Sequence, residues 1–461
     1  MAFMRSLVLA FGVSLAAVAA DPQAIFTVLG DRRGEVIPCG CPRIQLGGLD
    51  RLVAYCDAQP KASARFVIDT GNTFFSLPEL PQSRHAQENL KADLIADAYK
   101  LLAVDLLVPG RRDMALGPER LQALAKRASV DLVATDWETA DGKPLFTRSK
   151  ILERVGKKFG FVSIVRDALA PVENEIERLR KHPVDAVILI AQGGDLESAR
   201  SLNVDVVLTP PQEEGKGLAN ILWDSASKKI VREEVALGPE WQKPGRFAKA
   251  QSKYLESIRS LAVDKSGAFV VRPKGAFVAQ AGVCRQCHEK QTAFWESTKH
   301  ASAYLVLFSK NQHFDPECIG CHSVGYRDAA GFSDIASPIR LVGQPPRKKG
   351  EIPFVETFMK EVFEGDKGGA LDSRVQPERY ASLKAKYHAK IRDWQTKGQL
   401  DSLHMGVQCE HCHGNRDGHP GPQFKKVGKV RAASCTKCHQ PPHDNAFNFA
   451  KKVKQVACPR M

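Results

Sequence analysis

Cysteine and histidine are distributed unevenly along the 461 residues, and their spacing is the strongest chemical signal in the sequence. Eight of the 12 cysteines fall into four C-x-x-C-H units, named first to fourth in chain order: Cys284, Cys287, His288; Cys318, Cys321, His322; Cys409, Cys412, His413; Cys435, Cys438, His439. On a tight helical turn, two sulfurs at this spacing lie on one side, and the next residue points its imidazole toward the same centre.

This spacing indicates covalently attached haem c, with each cysteine pair bonding the porphyrin and each histidine serving as proximal iron ligand. Zinc sites also use paired cysteines, but zinc does not require a histidine directly after every second cysteine. Disulfides within each unit are less consistent still with the pattern. We therefore predict four haems c per chain, with His288, His322, His413 and His439 as proximal ligands.

The histidines that remain supply candidates for the distal side of each iron. Eleven of the 13 histidines lie at or after His288, whereas only Met359 and Met405 lie between the first unit and the end of the last, so methionine is not the common sixth ligand. Histidine ligation on both sides favours low reduction potentials. The candidates for the distal side are the seven other histidines of this half: His300, His313, His388, His404, His411, His419 and His443. His404, in an apolar stretch, and His443 could each serve an iron. His388 could be a distal ligand, but a solvated position is the leading expectation on a lysine-rich helix, and His411 should point away from its own iron.

Three strings in the C-terminal half, CRQCHEKQTAFWESTKHASAY, CIGCHSVGYRDAAGF and GVQCEHCHGNRDGHPG, resemble the cytochrome c554 family of tetrahaem electron carriers over roughly residues 280 to 445. The resemblance implies that His300 and His419 are distal ligands for neighbouring haems and that the second haem lacks a distal protein ligand. Residues 323 to 408 form a long insertion relative to that family, with a helix expected around RYASLKAKYHAKIRDW.

The N-terminal half alternates apolar strands with amphipathic segments, which predicts an α/β domain. The strand segments are AIFTVLG, RFVIDTG, DLLVPG, DLVATD, FGFVSIV, VDAVILIA and VDVVLTP. Asp31, the run Asp69 to Asn72 and the run Gly110 to Asp113 follow strands in an order that resembles calcineurin-like metallophosphatases and periplasmic five-prime-nucleotidases. The PCGC and GGL strings resemble a variant of that domain often joined to multihaem cytochromes.

The residues that such enzymes use to bind two metals are missing from this chain. The expected D-x-H reads Asp31, Arg32, Arg33, and the expected G-N-H-[ED] reads Gly110, Arg111, Arg112, Asp113. Gln192 and Thr209 replace later histidine positions, and arginine does not ligate cations. A structural or docking domain is the leading expectation, an anion pocket formed by Arg33, Arg111 and Arg112 is an alternative, and phosphoesterase activity is the least favoured.

The first 20 residues, MAFMRSLVLAFGVSLAAVAA, have the charge, apolar run and small-residue end of an export signal, which predicts a periplasmic or extracellular protein without a membrane span. The predicted organisation is therefore a signal peptide (1–20), a degenerate metallophosphatase-like α/β domain (21–240), a connector (241–275) and a mostly helical, loop-rich tetrahaem cytochrome c domain (276–461). Among the other cysteines, Cys39 or Cys41 is expected to bridge to Cys56 or to stay a packed thiol, and Cys458 has no predicted partner.

The formal charge is +14, and roughly +10 remains if each ferric haem c contributes about −1. The clearest basic runs are Lys425, Lys426, Lys429, Arg431 and Lys451, Lys452, Lys454. They form either a solvated face that balances haem propionates or a docking face for an acidic redox partner; nucleic acid is disfavoured. The leading function is electron transfer, the alternative is reduction of a small nitrogen or sulfur compound at one open haem, and nucleotidase-like hydrolysis is third.

Overall fold

Ten strands in the first half of the chain form two sheets in the computed structural model. The structure describes residues 24–459 except for 39–44, 60–63, 140, 193–198, 200, 213–214, 225, 228, 244, 266–280, 329–330, 346, 349–350, 415–429, 441–443 and 445–446. The strands are β1 (Ala24–Leu29), β2 (Arg65–Asp69), β3 (Leu106–Leu107), β4 (Asp131–Leu132), β5 (Ser149–Arg154), β6 (Lys157–Ile164), β7 (Ala186–Ala191), β8 (Val206–Leu208), β9 (Gly217–Asp224) and β10 (Lys229–Ala236).

The first sheet has the order β10-β9-β1-β2-β3-β4, and the second has the order β5-β6-β7-β8. Strands β1 to β4 are mutually parallel, as are β6 to β8, while β9, β10 and β5 pair antiparallel. Because the carboxyl ends of parallel strands meet at one edge, the loops after β1, β2 and β3 are brought together there.

The apolar core of this region lies between the two sheets. Phe26 and Phe66 stack at 5.5 Å, and Phe66 meets Phe159 of the other sheet edge-on at 5.0 Å. Helices α3 (Pro118–Ala128) and α4 (Leu169–Arg180) belong to the same region. All six residues of β7 are buried, because α4 covers the second face of its sheet; such burial on both sides is typical of parallel strands.

The predicted α/β fold of the N-terminal half is confirmed, and each of the seven predicted strand segments contains a strand. Strands β5, β9 and β10 were not predicted. In β10, the segment KIVREEVA carries charges on a largely exposed edge, so its apolar alternation is weak.

The C-terminal half is mostly helical and rich in loops, as predicted. Its helices, together with two from earlier in the chain, are α1 (Leu49–Ala58), α2 (His85–Leu102), α5 (Ala248–Lys265), α6 (Ala281–Arg285), α7 (Glu289–Ser297), α8 (Ala303–Ser309), α9 (Pro316–His322), α10 (Phe354–Val362), α11 (Pro377–Thr396), α12 (Cys409–His413), α13 (Ala432–Cys435) and α14 (Phe449–Lys452). A short antiparallel pair, β11 (Ile339–Leu341) and β12 (Leu400–Leu403), lies in the predicted insertion. The helix predicted around RYASLKAKYHAKIRDW is α11.

Two compact units divide the chain without a single cut along its length. One comprises Met1–Arg33, Ala58–Thr73 and Leu102–Ala236, and the other comprises Gly34–Asp57, Phe74–Leu101 and Leu237–Met461. The second unit therefore contains α1 and most of α2 together with all four C-x-x-C-H units. The domain boundaries at residues 240 and 275 stay predictions.

The core of the second unit forms where α10 and α11 pack on the helices around the first two C-x-x-C-H units. The ring centroids of Phe358 on α10 and Tyr387 on α11 are 5.7 Å apart. Tyr304 and Phe314 are fully buried in the same core. Among the described residues, no helix is long and apolar enough to cross a bilayer. The predicted signal peptide lies outside the described residues.

A glycine is required where the loop after β2 crosses the loop after β3. Gly71 has a φ of +94°, and a Cβ on it would overlap Gln192 Nε2 and the Val108 carbonyl oxygen. A residue with a side chain would be strained in this backbone conformation. Its Cβ would also collide with the backbone of Val108, which cannot shift without moving β3. Gly142 has a similar φ of +77° but has nothing within 4 Å of its Cβ position.

We predict that Gly71→Ala lowers the free energy of unfolding by at least about 3 kcal/mol, whereas Gly142→Ala lowers it by only about 1 kcal/mol, the cost of the left-handed backbone alone. Urea unfolding followed by far-ultraviolet circular dichroism measures both. Equal losses for the two variants would contradict the close approach at Gly71.

Candidate functional site

The carboxylates after β2 and β3 are occupied by backbone amides. Asp69 is fully buried and accepts hydrogen bonds from the Gly71 amide at 2.6 Å and from the Thr73 hydroxyl at 3.0 Å. Asp113, also fully buried, accepts from the amides of Asn72 at 2.7 Å, Thr73 at 2.8 Å and Gly110 at 2.8 Å. Asp113 therefore fastens the loop after β3 to the loop after β2, and Asp69 holds the loop after β2 to the end of its own strand.

Arginine and glutamine side chains complete the same edge of the sheet. Arg33 makes a two-point contact with Asp31, with Nη2 to Oδ2 at 2.6 Å and Nε to Oδ1 at 3.1 Å. Gln192 Nε2 donates to the Thr70 carbonyl oxygen at 2.6 Å. Because its guanidinium already pairs with Asp31, Arg33 has fewer N–H donors and less net charge for the anion pocket that the sequence suggested as an alternative.

The residues at this edge do not fit a pair of catalytic metal ions. A two-metal centre needs several carboxylates and histidines with lone pairs directed at common points, whereas here the acids accept hydrogen bonds from amides and a guanidinium. The described part of the chain has no cluster of three or more His, Cys, Asp or Glu side chains arranged for a cation.

Each of the four C-x-x-C-H units is folded as a single helical turn. In the first unit the His288 amide donates to the Cys284 carbonyl at 2.9 Å, and in the fourth unit His439 donates to Cys435 at 2.9 Å. The second and third units lie within α9 and α12. Asp315 caps α9 by accepting from the Glu317 amide at 2.9 Å. The thiols and the following imidazole thus have the local geometry that haem attachment requires.

The four units come together in pairs. The Cys284 thiol hydrogen-bonds to Cys409, which joins the first unit to the third and lowers the pKa of Cys284. Cys321 makes the same contact with Cys438, which joins the second unit to the fourth and lowers the pKa of Cys321. Units far apart in sequence are therefore neighbours in space.

Two of the predicted proximal histidines are oriented by hydrogen bonds through Nδ1. His322 Nδ1 lies 2.8 Å from the Ala303 carbonyl oxygen, and His439 Nδ1 lies 2.9 Å from Asp444 Oδ2. Such a bond fixes the ring and selects the tautomer that leaves Nε2 as the metal-binding atom. The ring of Phe447 stacks on that of His439, with centroids 4.8 Å apart and planes at 20°.

The predicted distal candidate His300 lies close to the fourth unit. Its ring centroid is 6.2 Å from that of His439, with the planes at 60°. Burial, followed by the neighbouring His439 and His322, lowers the pKa of His300, and a ligand imidazole must be neutral. His419 and His443, the other two candidates from the resemblance and the spacing, lie outside the described residues.

His404 is buried beside the second unit. Its Nδ1 lies 3.0 Å from the Val324 carbonyl oxygen, and its ring stacks on Phe332 at 4.6 Å and 25°. Because Val324 follows His322 by only two residues, this contact keeps His404 among the distal candidates.

The expectation that His388 is solvated is wrong, because α11 turns this residue inward. Its side chain is 6% exposed, against Trp295 at 6.3 Å, and burial lowers the pKa of His388 to about 4. Among the described residues, its Nε2 has no hydrogen-bond partner, and neither nitrogen of the buried His313 has one. The sequence pattern of α11, which is rich in lysine, did not indicate that the face carrying His388 is buried.

His411 connects the third unit to the second. Its Nδ1 accepts from the Gln408 amide at 3.2 Å, and its ring also hydrogen-bonds to the backbone of Ser323, the residue after His322. Burial lowers the pKa of His411 to about 4. His411 is thus held between units by these bonds.

The segment from Leu403 to Gln408, here called the central segment, is hydrogen-bonded to the first two units and leads into the third. The Val324 amide donates to the His404 carbonyl at 2.7 Å, the Gly406 amide to the His322 carbonyl at 2.9 Å, and the Val407 amide to the His300 carbonyl at 3.0 Å. Trp295 Nε1 donates to the Val407 carbonyl at 2.7 Å. These bonds set the relative positions of three units.

Gln408 uses its whole amide within this segment. Its Oε1 accepts from the Ala281 amide at 2.8 Å, and its Nε2 donates to the carbonyls of Leu403 at 2.8 Å and Met405 at 3.1 Å. Gln408 is 2% exposed. It therefore ties the start of the first unit to the start of the third, and the sequence offers no signal for this role beyond its position before Cys409.

A buried ionic cluster braces the second unit. Glu317, which precedes Cys318, pairs with both Arg84 and Lys91 of the α2 region, and Gln87 Nε2 donates to Asp315 at 2.6 Å. Burial opposes the charge on Lys91, but the carboxylates of Glu317 and Glu88 more than offset it and raise the pKa of Lys91. Sequence analysis missed this cluster, since its partners are 226 or more residues apart.

We predict that Gln408→Ala lowers the free energy of unfolding by about 2–4 kcal/mol, because three buried backbone groups lose their partner. Gln440→Ala is the matched control: Gln440 is exposed and makes only a 3.4 Å bond to the Lys437 carbonyl, so its loss should stay within about 0.5 kcal/mol. Denaturant unfolding of both variants tests this. A loss for Gln408→Ala no larger than that of the control would show that the central segment does not depend on this amide.

Comparisons with known proteins address the two halves separately. Similar solved structures include the sulfate thiohydrolase SoxB of Thermus thermophilus in complex with glycerol, at 13% identity and a TM-score of 0.44 over 55% of this chain and 63% of that one. The calcineurin-like phosphoesterase YfkN of Bacillus subtilis is 13% identical, with a TM-score of 0.42 over 52% of this chain and 100% of that one. A 5'-nucleotidase precursor, also of Thermus thermophilus, is 14% identical, with a TM-score of 0.42 over 80% of this chain and 96% of that one. At such identities and scores, these likenesses assign no activity to this chain.

No curated protein shows significant sequence similarity to the chain. Residues 283–341, which include the first two C-x-x-C-H units, match the family described as cytochrome c554 and c-prime. That match supports covalently bound haem c and a role in electron transfer, and it agrees with the resemblance noted in the sequence over this part of the chain.

Proposed function

We propose that the chain is an exported c-type cytochrome that holds four haems c and transfers electrons between redox partners. The observation that carries this proposal is the pairing of four attachment turns: the first with the third through Cys284 and Cys409, and the second with the fourth through Cys321 and Cys438. Turns that meet in this way would place four redox centres close together, which a carrier needs and a single-site enzyme does not.

The residues present fit the group. Eight thiols on helical turns would hold the porphyrins, and His288, His322, His413 and His439 would hold the irons. Bound haem c would supply a one-electron iron couple. The bonds of His322 to Ala303 and of His439 to Asp444 hold the rings with Nε2 available for the metal.

His300 is the strongest distal candidate, for the iron held by His439. Two imidazoles that coordinate one metal from opposite sides, at nitrogen–metal distances of about 2.0 Å, have centroids roughly 6 Å apart. The observed separation is 6.2 Å. Ligation by two histidines favours low potentials, so the proposed carrier works at the reducing end of the cytochrome range.

The N-terminal α/β unit is proposed to be a scaffold without hydrolytic activity. The support is the set of hydrogen bonds that Asp69 and Asp113 accept from backbone amides, which direct their oxygens into the loops themselves. The export signal supports a periplasmic or extracellular location, where such cytochromes are assembled.

We predict four haems per chain. The intact mass after export should exceed that of the polypeptide by four haem groups, and the pyridine haemochrome assay should return four per chain. Cys409→Ser should yield three fully attached haems, because one thioether is lost, whereas Cys458→Ser should retain four, since Cys458 lies outside the units. Fewer than four haems in the native chain would overturn the proposal.

We also predict that the iron held by His322 is five-coordinate, which follows from the resemblance, in which the second haem lacks a distal ligand. Electron paramagnetic resonance of the oxidised protein should then show one high-spin ferric component beside low-spin signals, and that component should disappear when His322 is replaced. A purely low-spin spectrum would refute the open site. If His404→Ala then created a high-spin signal, His404 would be the ligand.

A further inference from the structure

The surroundings of the fourth unit continue directly into a basic turn. Phe447 stacks on His439 at 4.8 Å, and the next residue, Asn448, caps α14 by accepting from the Lys451 amide at 3.1 Å. Lys452 closes the same turn with a 2.9 Å bond from its amide to the Asn448 carbonyl. The lysines of this turn are therefore held at a fixed place beside the fourth attachment site.

Six exposed cations make up what we call the basic patch: Lys299, Arg431, Lys437, Lys451, Lys452 and Lys454. Between Arg431 and Pro459 the sequence has one acidic residue, Asp444, and it is buried against His439. Within the described part of the chain, none of the six cations forms a salt bridge. Among the residues that the structure describes, the charge of the patch is therefore not neutralised by direct ion pairs.

Lys299 extends the patch to the other side of the fourth site. Burial and the nearby cations Arg374 and Lys452 lower the pKa of Lys299, and Asp372 partly opposes them. Lys299 also precedes His300, whose ring lies 6.2 Å from that of His439. Cations consequently flank both the proximal imidazole and its proposed distal partner.

We propose that the basic patch is the docking surface for an acidic redox protein, which exchanges electrons with this chain at the haem held by His439. The inference rests on the proposed electron-transfer function and adds the partner's charge and the point of exchange. A cluster of cations without direct ion pairs among the described residues attracts an acidic face over distances of about 10 Å at moderate salt, accelerates encounter and selects orientation. Cys435, Cys438 and His439 would hold this haem, whose ferric iron would take up one electron as the partner's centre loses one; in the reverse direction the ferrous iron would lose one electron to the partner's centre.

The test uses the full-length holoprotein with two triple variants. The patch variant is Lys451→Glu, Lys452→Glu and Lys454→Glu. The control variant carries the same change in charge at three exposed lysines on other elements of the second unit, as Lys249→Glu, Lys253→Glu and Lys367→Glu. Stopped-flow reduction is measured with two donors, a reduced acidic plant-type ferredoxin and reduced methyl viologen, at low and high salt.

We expect the patch variant to lower the second-order rate with ferredoxin by about tenfold or more at low salt, a typical size for lost steering. The control should lose much less, and high salt should remove the difference. Methyl viologen, a small cation, should reduce both variants at least as fast as the native protein. Failure of methyl viologen to reduce the native protein would instead reject the proposed electron-transfer function, which is a different outcome from rejection of the docking surface.

Equal ferredoxin rates in the patch and control variants would overturn the docking proposal while leaving the carrier function in place. A patch variant with an altered haem potential but unchanged salt dependence of the ferredoxin rate would also overturn it, because the lysines would then only balance propionate charge.

Discussion

The central segment, Leu403 to Gln408, is the constraint on which the arrangement of the attachment turns depends. It contributes a line of backbone donors and acceptors to His300, His322 and Val324, and Gln408 adds the bond to Ala281. Buried backbone groups without partners are costly, so the segment has little freedom to shift without breaking several bonds at once. Helices of only one or two turns around the units could not hold each other at fixed distances by their own stability. Their positions follow from this hydrogen-bonded core.

Charged groups provide a second constraint at the second unit. Lys91 is buried and Glu317 is half-buried. Burial would raise the pKa of Glu317, but Lys91 and Arg84 lower it to about 2. A buried ion pair of this kind contributes little net stability compared with an apolar pair, yet removal of one partner leaves a costly unpaired charge. The pair therefore specifies one register for α2 on α9. Helix α2 lies between strands β2 and β3 in the sequence, yet nearly all of it belongs to the compact unit that contains the four C-x-x-C-H units.

The loops after β1, β2 and β3 show how the same residues can serve structure instead of catalysis. Asp69 and Asp113 accept hydrogen bonds from the backbone amides of these loops. Three residues of these loops, Asp31, Arg33 and Asn72, have φ between +49° and +55°, a conformation that costs energy for residues other than glycine. The amide–carboxylate bonds and the Asp31–Arg33 pair offset that cost. The loops thus combine strained backbone conformations with the hydrogen bonds that hold them in place.

The sequence by itself predicted the chemistry of the four C-x-x-C-H units and determined the fold class of each half. A C-x-x-C-H unit is local, since two sulfurs and an imidazole within five residues share one turn, so Cys284 to His288 could be interpreted without the rest of the chain. The strands were also predictable, because an apolar run such as VILI has to be buried on both faces. Only the tertiary structure decided which units meet, that α11 buries His388 instead of exposing it, and that Lys91 faces Glu317 across 226 residues. These outcomes depend on packing and hydrogen bonds between segments far apart in the chain, and neither periodicity nor spacing within one segment contains that information.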